Sequence, residues 1–288
     1  MSRINRAIAL LSQDQPIYYA SPSSVTYEGG IESAHTWADY LLVEMEHGVF
    51  NLTALDDFMR GLVAGGPTRS GHHTPPVIVT VPTDATNEAV MLANAWMVKQ
   101  VLARGVHGIL LCHARSPEAV RVFVESARFP FQKAGVGDSL GEGQRGAGGQ
   151  GSAAITWGVS EEEYLQKADV WHLNPEGEIM LGLKIEDRHA LANVDASLAV
   201  PGIAFAEWGP GDMGMSFGYP NQHDPPYAPE MEDARTTVLQ ACRENGVAFL
   251  NAVTADDVTS MIDEGVRVCG GPEAAANVGR EYTRRTMP

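Results

Sequence analysis

The sequence predicts a single (β/α)8 (TIM) barrel, and three observations carry that prediction. Eight short apolar runs alternate with amphipathic helical stretches along the chain. Two of the runs, Val77-Ile78-Val79-Thr80-Val81 and Met180-Leu181-Gly182-Leu183-Lys184-Ile185, are almost continuously apolar, as strands buried on both faces of a parallel sheet must be. The length of 288 residues is ordinary for one such barrel, which needs about 250. Alternation of strand and helix implies a parallel sheet, and eight such units close it.

In chain order, strands are expected at Ile17–Ala20, Tyr40–Val43, Val77–Val81, Gly108–Cys112, Ile179–Ile185, Gly202–Ala206, Ala248–Asn251 and Val266–Cys269. Each is a short apolar run that ends near Gly, Pro or an acid. After the third, Asn87–Arg104 sets Val90, Ala93, Met97 and Val101 at helical spacing, and Gly105 follows as the stop. After the fourth, Ser116-Pro117-Glu118 opens a helix through Val124, with a capping serine and a proline in its first turn. Pro229–Asn245 leads into the seventh strand, and Pro272–Arg285 follows the eighth. One stretch breaks the rhythm: residues 135–158, glycine-rich through Gly141-Glu142-Gly143-Gln144-Arg145-Gly146-Ala147-Gly148-Gly149-Gln150-Gly151. Its glycines are not followed by the Lys-Ser/Thr of a phosphate-binding loop. A loop of this length in a compact domain is functional or disordered, and a mobile lid or a subunit contact is the expected use. The domain reading is one barrel over residues 1–288 with this insertion.

Composition narrows the function. A formal charge of −16 argues against nucleic acid, whose phosphates need clustered Lys and Arg. Apolar side chains make up 44% and charged ones 19%, with 30 glycines and 17 prolines, which fits many tight loops around a buried scaffold. Neither a membrane span nor a secretory signal is expected, the run Ala7–Leu11 being too short for a signal core and followed by polar Ser12-Gln13-Asp14-Gln15. Cys112, Cys242 and Cys269 are odd in number and form no CxxC pair, so a reduced, cytoplasmic setting is expected. An anionic substrate would need local positive charge against this background. A bound divalent cation would supply it.

In such barrels chemistry gathers at the C-terminal ends of the strands. Those ends carry Glu44-Met45-Glu46-His47, Thr80-Val81-Pro82-Thr83-Asp84, Cys112-His113, Lys184-Ile185-Glu186-Asp187 and Glu207-Trp208-Gly209-Pro210-Gly211-Asp212. Any one acid reads as well as a solvated loop residue, and Glu186 and Asp187 both suit a helix start. Several at one mouth repel unless a cation sits among them, and hard divalent cations favour carboxylate oxygen. His72-His73, in a Gly/Pro loop, and His107, in a turn, read as surface residues. Cys112 and His113 are adjacent on a strand and so point to opposite faces, which argues against a thiol–imidazole dyad.

Three stretches also resemble a known family. Asp39-Tyr40-Leu41-Leu42-Val43-Glu44-Met45-Glu46-His47-Gly48 is similar to the second-strand signature of the HpcH/HpaI aldolase (citrate-lyase-like) family. Leu183-Lys184-Ile185-Glu186 resembles its metal-binding strand, and Gly209-Pro210-Gly211-Asp212-Met213-Gly214 its second metal motif, usually Gly-Pro-Ala-Asp. Arg145-Gly146 and Glu163-Tyr164-Leu165 echo it more weakly. The resemblance implies a barrel of the phosphoenolpyruvate/pyruvate type and a class II aldolase acting on a 4-hydroxy-2-oxo acid. It implies that Glu186 and Asp212 bind Mg²⁺, Mn²⁺ or Co²⁺, that Gly209, Pro210 and Gly211 form the substrate-binding turn, and that the backbone N–H groups around Gly211 and Asp212 receive the substrate carboxylate. His47 would move the proton, with Glu44 orienting its ring. A homo-oligomer, often hexameric with exchanged C-terminal helices, is implied too.

The sequence departs from that pattern at the mouth. The family usually carries Arg where this chain has Thr80, Gln where it has Lys184, and Asp where it has Glu44. Lys184 lies two residues before Glu186 and shares its face, so it is placed either to supply the charge lost at Thr80 or to pair with Glu186 or Glu44. Thr80 is then left as a neutral substrate contact. The lost arginine leaves room for decarboxylation or C–C hydrolysis with the same fold and metal, and a non-catalytic barrel is the third alternative. Trp208 and Phe217 are candidates to line the aldehyde side.

Overall fold

Eight parallel strands pair in chain order, and the eighth returns to the first. They are β1 (Ile17–Ala20), β2 (Tyr40–Val43), β3 (Val77–Asp84), β4 (Gly108–Cys112), β5 (Met180–Ile185), β6 (Ile203–Trp208), β7 (Ala248–Ala252) and β8 (Val266–Gly270), and the barrel is closed. The structure, a computed structural model, describes residues 3–221 and 224–287. Helix α1 (Arg6–Leu11) precedes the barrel. Helices α2 (Tyr27–Ser33), α3 (Leu52–Gly65) and α4 (Glu88–Leu102) follow the first three strands. Between β4 and β5 lie α5 (Pro117–Ser126), α6 (Gln150–Trp157) and α7 (Glu161–Lys167); between β5 and β6, α8 (Arg188–Ala192) and α9 (Val194–Leu198). Helices α10 (Pro210–Phe217) and α11 (Pro229–Asn245) join β6 to β7, α12 (Val258–Glu264) joins β7 to β8, and α13 (Glu273–Tyr282) follows β8.

All eight expected strands are present. The largest shift at one end is at β3, which runs on to Asp84. Strand β6 starts one residue later than expected because Gly202 has φ +99 and makes the turn, and it continues until Glu207 and Trp208 pair with Lys184 and Ile185. The expected caps are in place: the Ser116 hydroxyl accepts from Ala119 N–H, with Pro117 in the first turn of α5. Inside the barrel, Ile17, Tyr40, Leu42, Ile78, Leu110, Met180, Phe205, Leu250 and Val268 form one apolar cluster with Ala7, Ile8 and Leu10 of α1, so α1 plugs the floor. A second cluster fills the space between strands and helices. At the floor, the buried Asp39 carboxylate accepts from Tyr18 N–H (2.9 Å) and pairs with Arg6, Arg280 and Arg285. This ties α13 and the segment after it to the chain's own barrel.

Two expectations need correcting. The glycine-rich segment is not a lid: Gln144 N–H donates to Glu125 O (2.9 Å) and Arg145 N–H to Arg128 O (2.8 Å), at the end of α5 remote from the strands' C-terminal ends. Arg145 is buried, its guanidinium 4.2 Å above the Phe129 ring and bonded to the Tyr164 hydroxyl at 2.8 Å. Gly143 is there for close approach, since a Cβ would fall 2.5 Å from Phe129 O. His107 is not a surface residue either. It has no exposure, accepts from Val77 N–H through Nδ1 (3.2 Å) and stacks on Trp157 at 5.4 Å. Its backbone N–H opens the β3–β4 pairing through Val77 O, which carries the residue into the sheet.

Candidate metal centre at the barrel mouth

Along the strands, inward-facing residues change from apolar to polar toward the C-terminal end. Beyond Tyr40 and Leu42 comes Glu44; beyond Ile78, Thr80; beyond Leu110, Cys112; beyond Met180, Lys184 and Glu186; beyond Phe205, Glu207. Lys184 and Glu207 are register partners on β5 and β6. The mouth therefore gathers several carboxylates around one ammonium.

Four ligand atoms, one each from Glu46, His113, Glu186 and Asp212, lie within 4.8 Å of one another. Lys184 Nζ binds Glu46 Oε2 and lies 3.6 Å from Glu186 Oε2. Burial pushes the Glu186 carboxyl up to about 7, with Lys184 opposing. Glu207 is driven to about 7 in the same way. Burial also works against the Glu46 carboxylate, but Lys184 and the Cys112 thiol outweigh it and hold Glu46 below the ordinary range. Desolvation opposes charge on Lys184 too, yet Glu186 and Glu207 keep its pKa raised. Lys184 is the largest stabilising influence on these acids, with Cys112 and His47 adding to it at Glu46 and His113 at Glu186. Glu46 Oε1 is buried and, among the described residues, has no hydrogen-bond partner. Hard oxygen donors, an imidazole and an orphaned carboxylate oxygen fit a divalent cation.

The loop after β2 is held from beneath. Glu44 Oε1 accepts from the backbone N–H groups of Glu46 (2.5 Å) and His47 (2.7 Å). Thr80 Oγ1 accepts from Met45 N–H (2.9 Å) and donates to Glu44 (3.3 Å). So Glu44 grips the His47 backbone, not its ring. Thr80, 1% exposed, serves the loop and does not present its hydroxyl to a ligand in the mouth. A threonine in this wall is too short to reach past the loop it supports. The His47 ring stands at the rim, 64% exposed, with Nε2 3.7 Å from both Glu46 Oε2 and Asp212 Oδ2. Lys184 is an ion partner of Glu46, an acid to which sequence reading gave no role.

Gly209, Pro210 and Gly211 open α10, and Asp212 stands in its first turn. Among the described residues no side chain caps this helix, which leaves its first N–H groups for another acceptor. A Cβ on Gly209 would fall 2.7 Å from Glu186 Cβ, whereas one on Gly211 would meet nothing within 4 Å. Asp187, one residue beyond Glu186, caps α8 by accepting from His189 and Ala190 N–H (2.8 and 2.9 Å). Its other oxygen accepts from Arg115 (2.7 Å) and lies 2.9 Å from His113 Nδ1. Trp208 is buried, edge-on to Tyr227 at 5.2 Å, and belongs to the core. The Phe217 ring lies under the Arg188 guanidinium, 5.8 Å away.

His47, Lys184, Glu186 and Asp212 are therefore brought together as expected, while Glu44 and Thr80 lie beneath them. Sequence reading missed Glu46, His113 and Glu207. Glu46 has the same strand parity as Glu44 and was within reach of that signal. His113 was not, because the strand ends at Cys112 and His113 adopts φ +44, which turns it back over the mouth. Burial holds the Cys112 thiol far above its ordinary pKa, so it is no nucleophile.

Residues 31–269 match the family model described as HpcH/HpaI aldolase/citrate lyase. The chain is 30% identical over 205 residues to 2-keto-3-deoxy-L-rhamnonate aldolase of Klebsiella pneumoniae, covering 71% of this chain and 62% of that protein. It is 26% identical over 234 residues to hydroxypyruvate/pyruvate aldolase of Roseobacter denitrificans, covering 80% and 75%. Among solved structures, an HpcH/HpaI aldolase/citrate lyase family protein from Burkholderia cenocepacia superposes with a TM-score of 0.71 at 22% identity, covering 97% of this chain and 96% of that one. An HpcH/HpaI aldolase from Desulfitobacterium hafniense gives 0.66 at 21%, covering 98% and 97%. The matched region runs from before β2 into β8 and holds every acid of the mouth, and on this ground the chain belongs to the HpcH/HpaI aldolase/citrate lyase family.

Proposed function

We propose that the protein is a divalent-metal-dependent carbon–carbon lyase, an aldolase that cleaves a 4-hydroxy-2-oxo acid into pyruvate or a related 2-oxo acid and an aldehyde. The observation that carries this reading is the half-buried cluster of Glu46, His113, Glu186 and Asp212 at the barrel's chemical end. Both curated relatives are named as aldolases of 2-oxo acids, which supports the substrate class.

Glu186 and Asp212 hold the cation, of the Mg²⁺, Mn²⁺ or Co²⁺ type. When bound, it supplies Lewis-acid stabilisation for the negative charge that the 2-oxo acid acquires on C–C cleavage. The first-turn N–H groups of α10, at Gly211 and Asp212, receive the substrate carboxylate. His47 takes the proton of the 4-hydroxyl as the C3–C4 bond breaks and the aldehyde carbonyl forms. Lys184 keeps one positive charge in the mouth and steadies Glu46. Glu44 and Thr80 set the height of the loop that carries His47. The assembly is a homo-oligomer, as the family resemblance implies.

Thr80 in place of the family arginine favours a second reading, in which the same site decarboxylates or hydrolyses. One assay separates them. The full chain is stripped of metal, reloaded with Mn²⁺ and given 4-hydroxy-2-oxo acids, and pyruvate, aldehyde and CO₂ are measured. Pyruvate and aldehyde in equal amounts, abolished by EDTA, are expected. Metal-dependent CO₂ without aldehyde supports the second reading, and one bound metal with no turnover supports a non-catalytic barrel.

A further inference from the structure

His113 sits where sequence alone assigned nothing, and its two ring nitrogens are in different settings. Nδ1 lies 2.9 Å from Asp187 Oδ2. That carboxylate is itself fixed by Arg115 and by the first turn of α8, so it is a rigid acceptor for an Nδ1 proton. Donation through Nδ1 leaves Nε2 to face the mouth. There it lies 3.8 Å from Glu46 Oε1, an oxygen without a hydrogen-bond partner among the described residues, in a side chain only 7% exposed. The separation is too long for a hydrogen bond. It is a span that two ligand atoms, each ~2.1 Å from one ion, can subtend. The backbone N–H of His113 also binds Glu186 Oε1 (2.9 Å), which couples the imidazole to the carboxylate read above as a ligand.

We propose that His113 is a nitrogen ligand of the mouth cation through Nε2, oriented by Asp187, and that it biases the site toward cations that accept nitrogen. A carboxylate behind a ligating imidazole is the usual way a protein fixes tautomer and ring direction. Mg²⁺ holds its waters and favours oxygen, whereas affinity for a mixed nitrogen and oxygen site rises through Mn²⁺ to Co²⁺. This inference rests on the reading that Glu186 and Asp212 hold a metal, and the experiment keeps the two apart.

The full chain is stripped with chelator and titrated calorimetrically with Co²⁺ and Mg²⁺, and its Mn²⁺ form is examined by pulsed EPR for ¹⁴N coupling. Wild type, His47→Gln, His113→Gln and Glu186→Gln are compared. The expected result is ¹⁴N coupling in wild type and His47→Gln that is absent in His113→Gln. Co²⁺ affinity should fall by more than about tenfold in His113→Gln and Mg²⁺ affinity by less than about threefold. If His113→Gln does not fold, wild type and His47→Gln answer alone, because coupling that persists without the His47 ring comes from His113. Mn²⁺ bound without coupling, but lost in Glu186→Gln, overturns the role of His113 and leaves the metal reading standing. Coupling that disappears only in His47→Gln does the same. No stoichiometric metal in wild type removes the metal reading and this inference with it.

Discussion

Two glycines two positions apart, Gly209 and Gly211, divide the labour at the start of α10. Gly209 faces Glu186, and a methyl group there would need space that Glu186 Cβ and Oε2 occupy at 2.7 and 2.8 Å. Gly209→Ala is therefore expected to displace that carboxylate and to lower both metal affinity and kcat, in a protein that still folds. A Cβ on Gly211 meets no described atom within 4 Å, so Gly211→Ala should keep metal binding. It should also gain up to about 1 kcal/mol from reduced backbone freedom. Calorimetric metal titration of both variants checks this, and equal losses in the two would show that the close approach at Gly209 does not matter. At the other end of the barrel, burial pushes the His107 ring down to about 3, with His72 adding to it. Unfolding returns that ring to about 6.5, so between these values the unfolded chain binds one more proton. The contribution is whole above pH 6.5 and is lost as pH falls toward 3, by up to about 1.4 kcal/mol per pH unit. His107→Gln should be about 1–3 kcal/mol less stable at pH 7.5, where it disturbs the bond from Val77 N–H. The gap should close by pH 4.5 in denaturant melts. A gap that stays constant would mean the neutral ring costs nothing on acidification.

At the scale of the element, the loop after β2 is a small lever with Thr80 as its fulcrum. Its hydroxyl serves Met45 N–H and Glu44 together, in a wall that is 1% exposed. Thr80→Val keeps the shape and removes the bond, so about 1–3 kcal/mol of stability should go. kcat should fall while substrate KM stays near wild type, because His47 rides on the loop and the α10 N–H groups proposed to receive the substrate carboxylate do not. Thr80→Ser should retain both, and a Thr80→Val enzyme with unchanged kcat would reduce the residue to packing. Thr80→Arg would not restore the family's charge, because it removes the hydroxyl that the loop hangs on. The strands were legible because each is a run of apolar residues bounded by Gly, Pro or acids, and burial on both faces allows no other pattern. Glu186, Asp212, His47 and Lys184 were legible because the resemblance and their place at the strands' C-terminal ends point the same way. His113 and the floor position of the glycine-rich segment were not. The first depends on one left-handed residue past a strand end, and the second on long-range bonds from Gln144 and Arg145 to α5, neither of which leaves a local pattern in the chain.

For the molecule as a whole, a charge of −16 and a mouth crowded with carboxylates set the same problem at two scales. Lys184 is shared between Glu46 and Glu186, and burial raises both Glu186 and Glu207 to about 7. A barrel in that condition gains stability from any cation that binds the folded state alone. The gain follows concentration, at about 2.7 kcal/mol when free metal is a hundred times Kd. Melting temperature should therefore climb with added Mn²⁺ or Co²⁺ and drop back on EDTA, reversibly. Removing one carboxylate has two opposite effects that metal separates. Without metal, Glu186→Gln relieves crowding and should match or exceed wild type in stability. With saturating metal it should fall below wild type, because the linkage is gone. Asp212→Asn should lose the linkage with little change in the metal-free protein, since its side chain is 33% exposed and is less crowded. Thermal melts of the three proteins, each with EDTA and with 1,000-fold graded metal, give the crossing of curves that the argument requires. Parallel curves, with both variants stabilised by metal as much as wild type, would place the cation elsewhere and leave the mouth's acids as charges the fold merely tolerates.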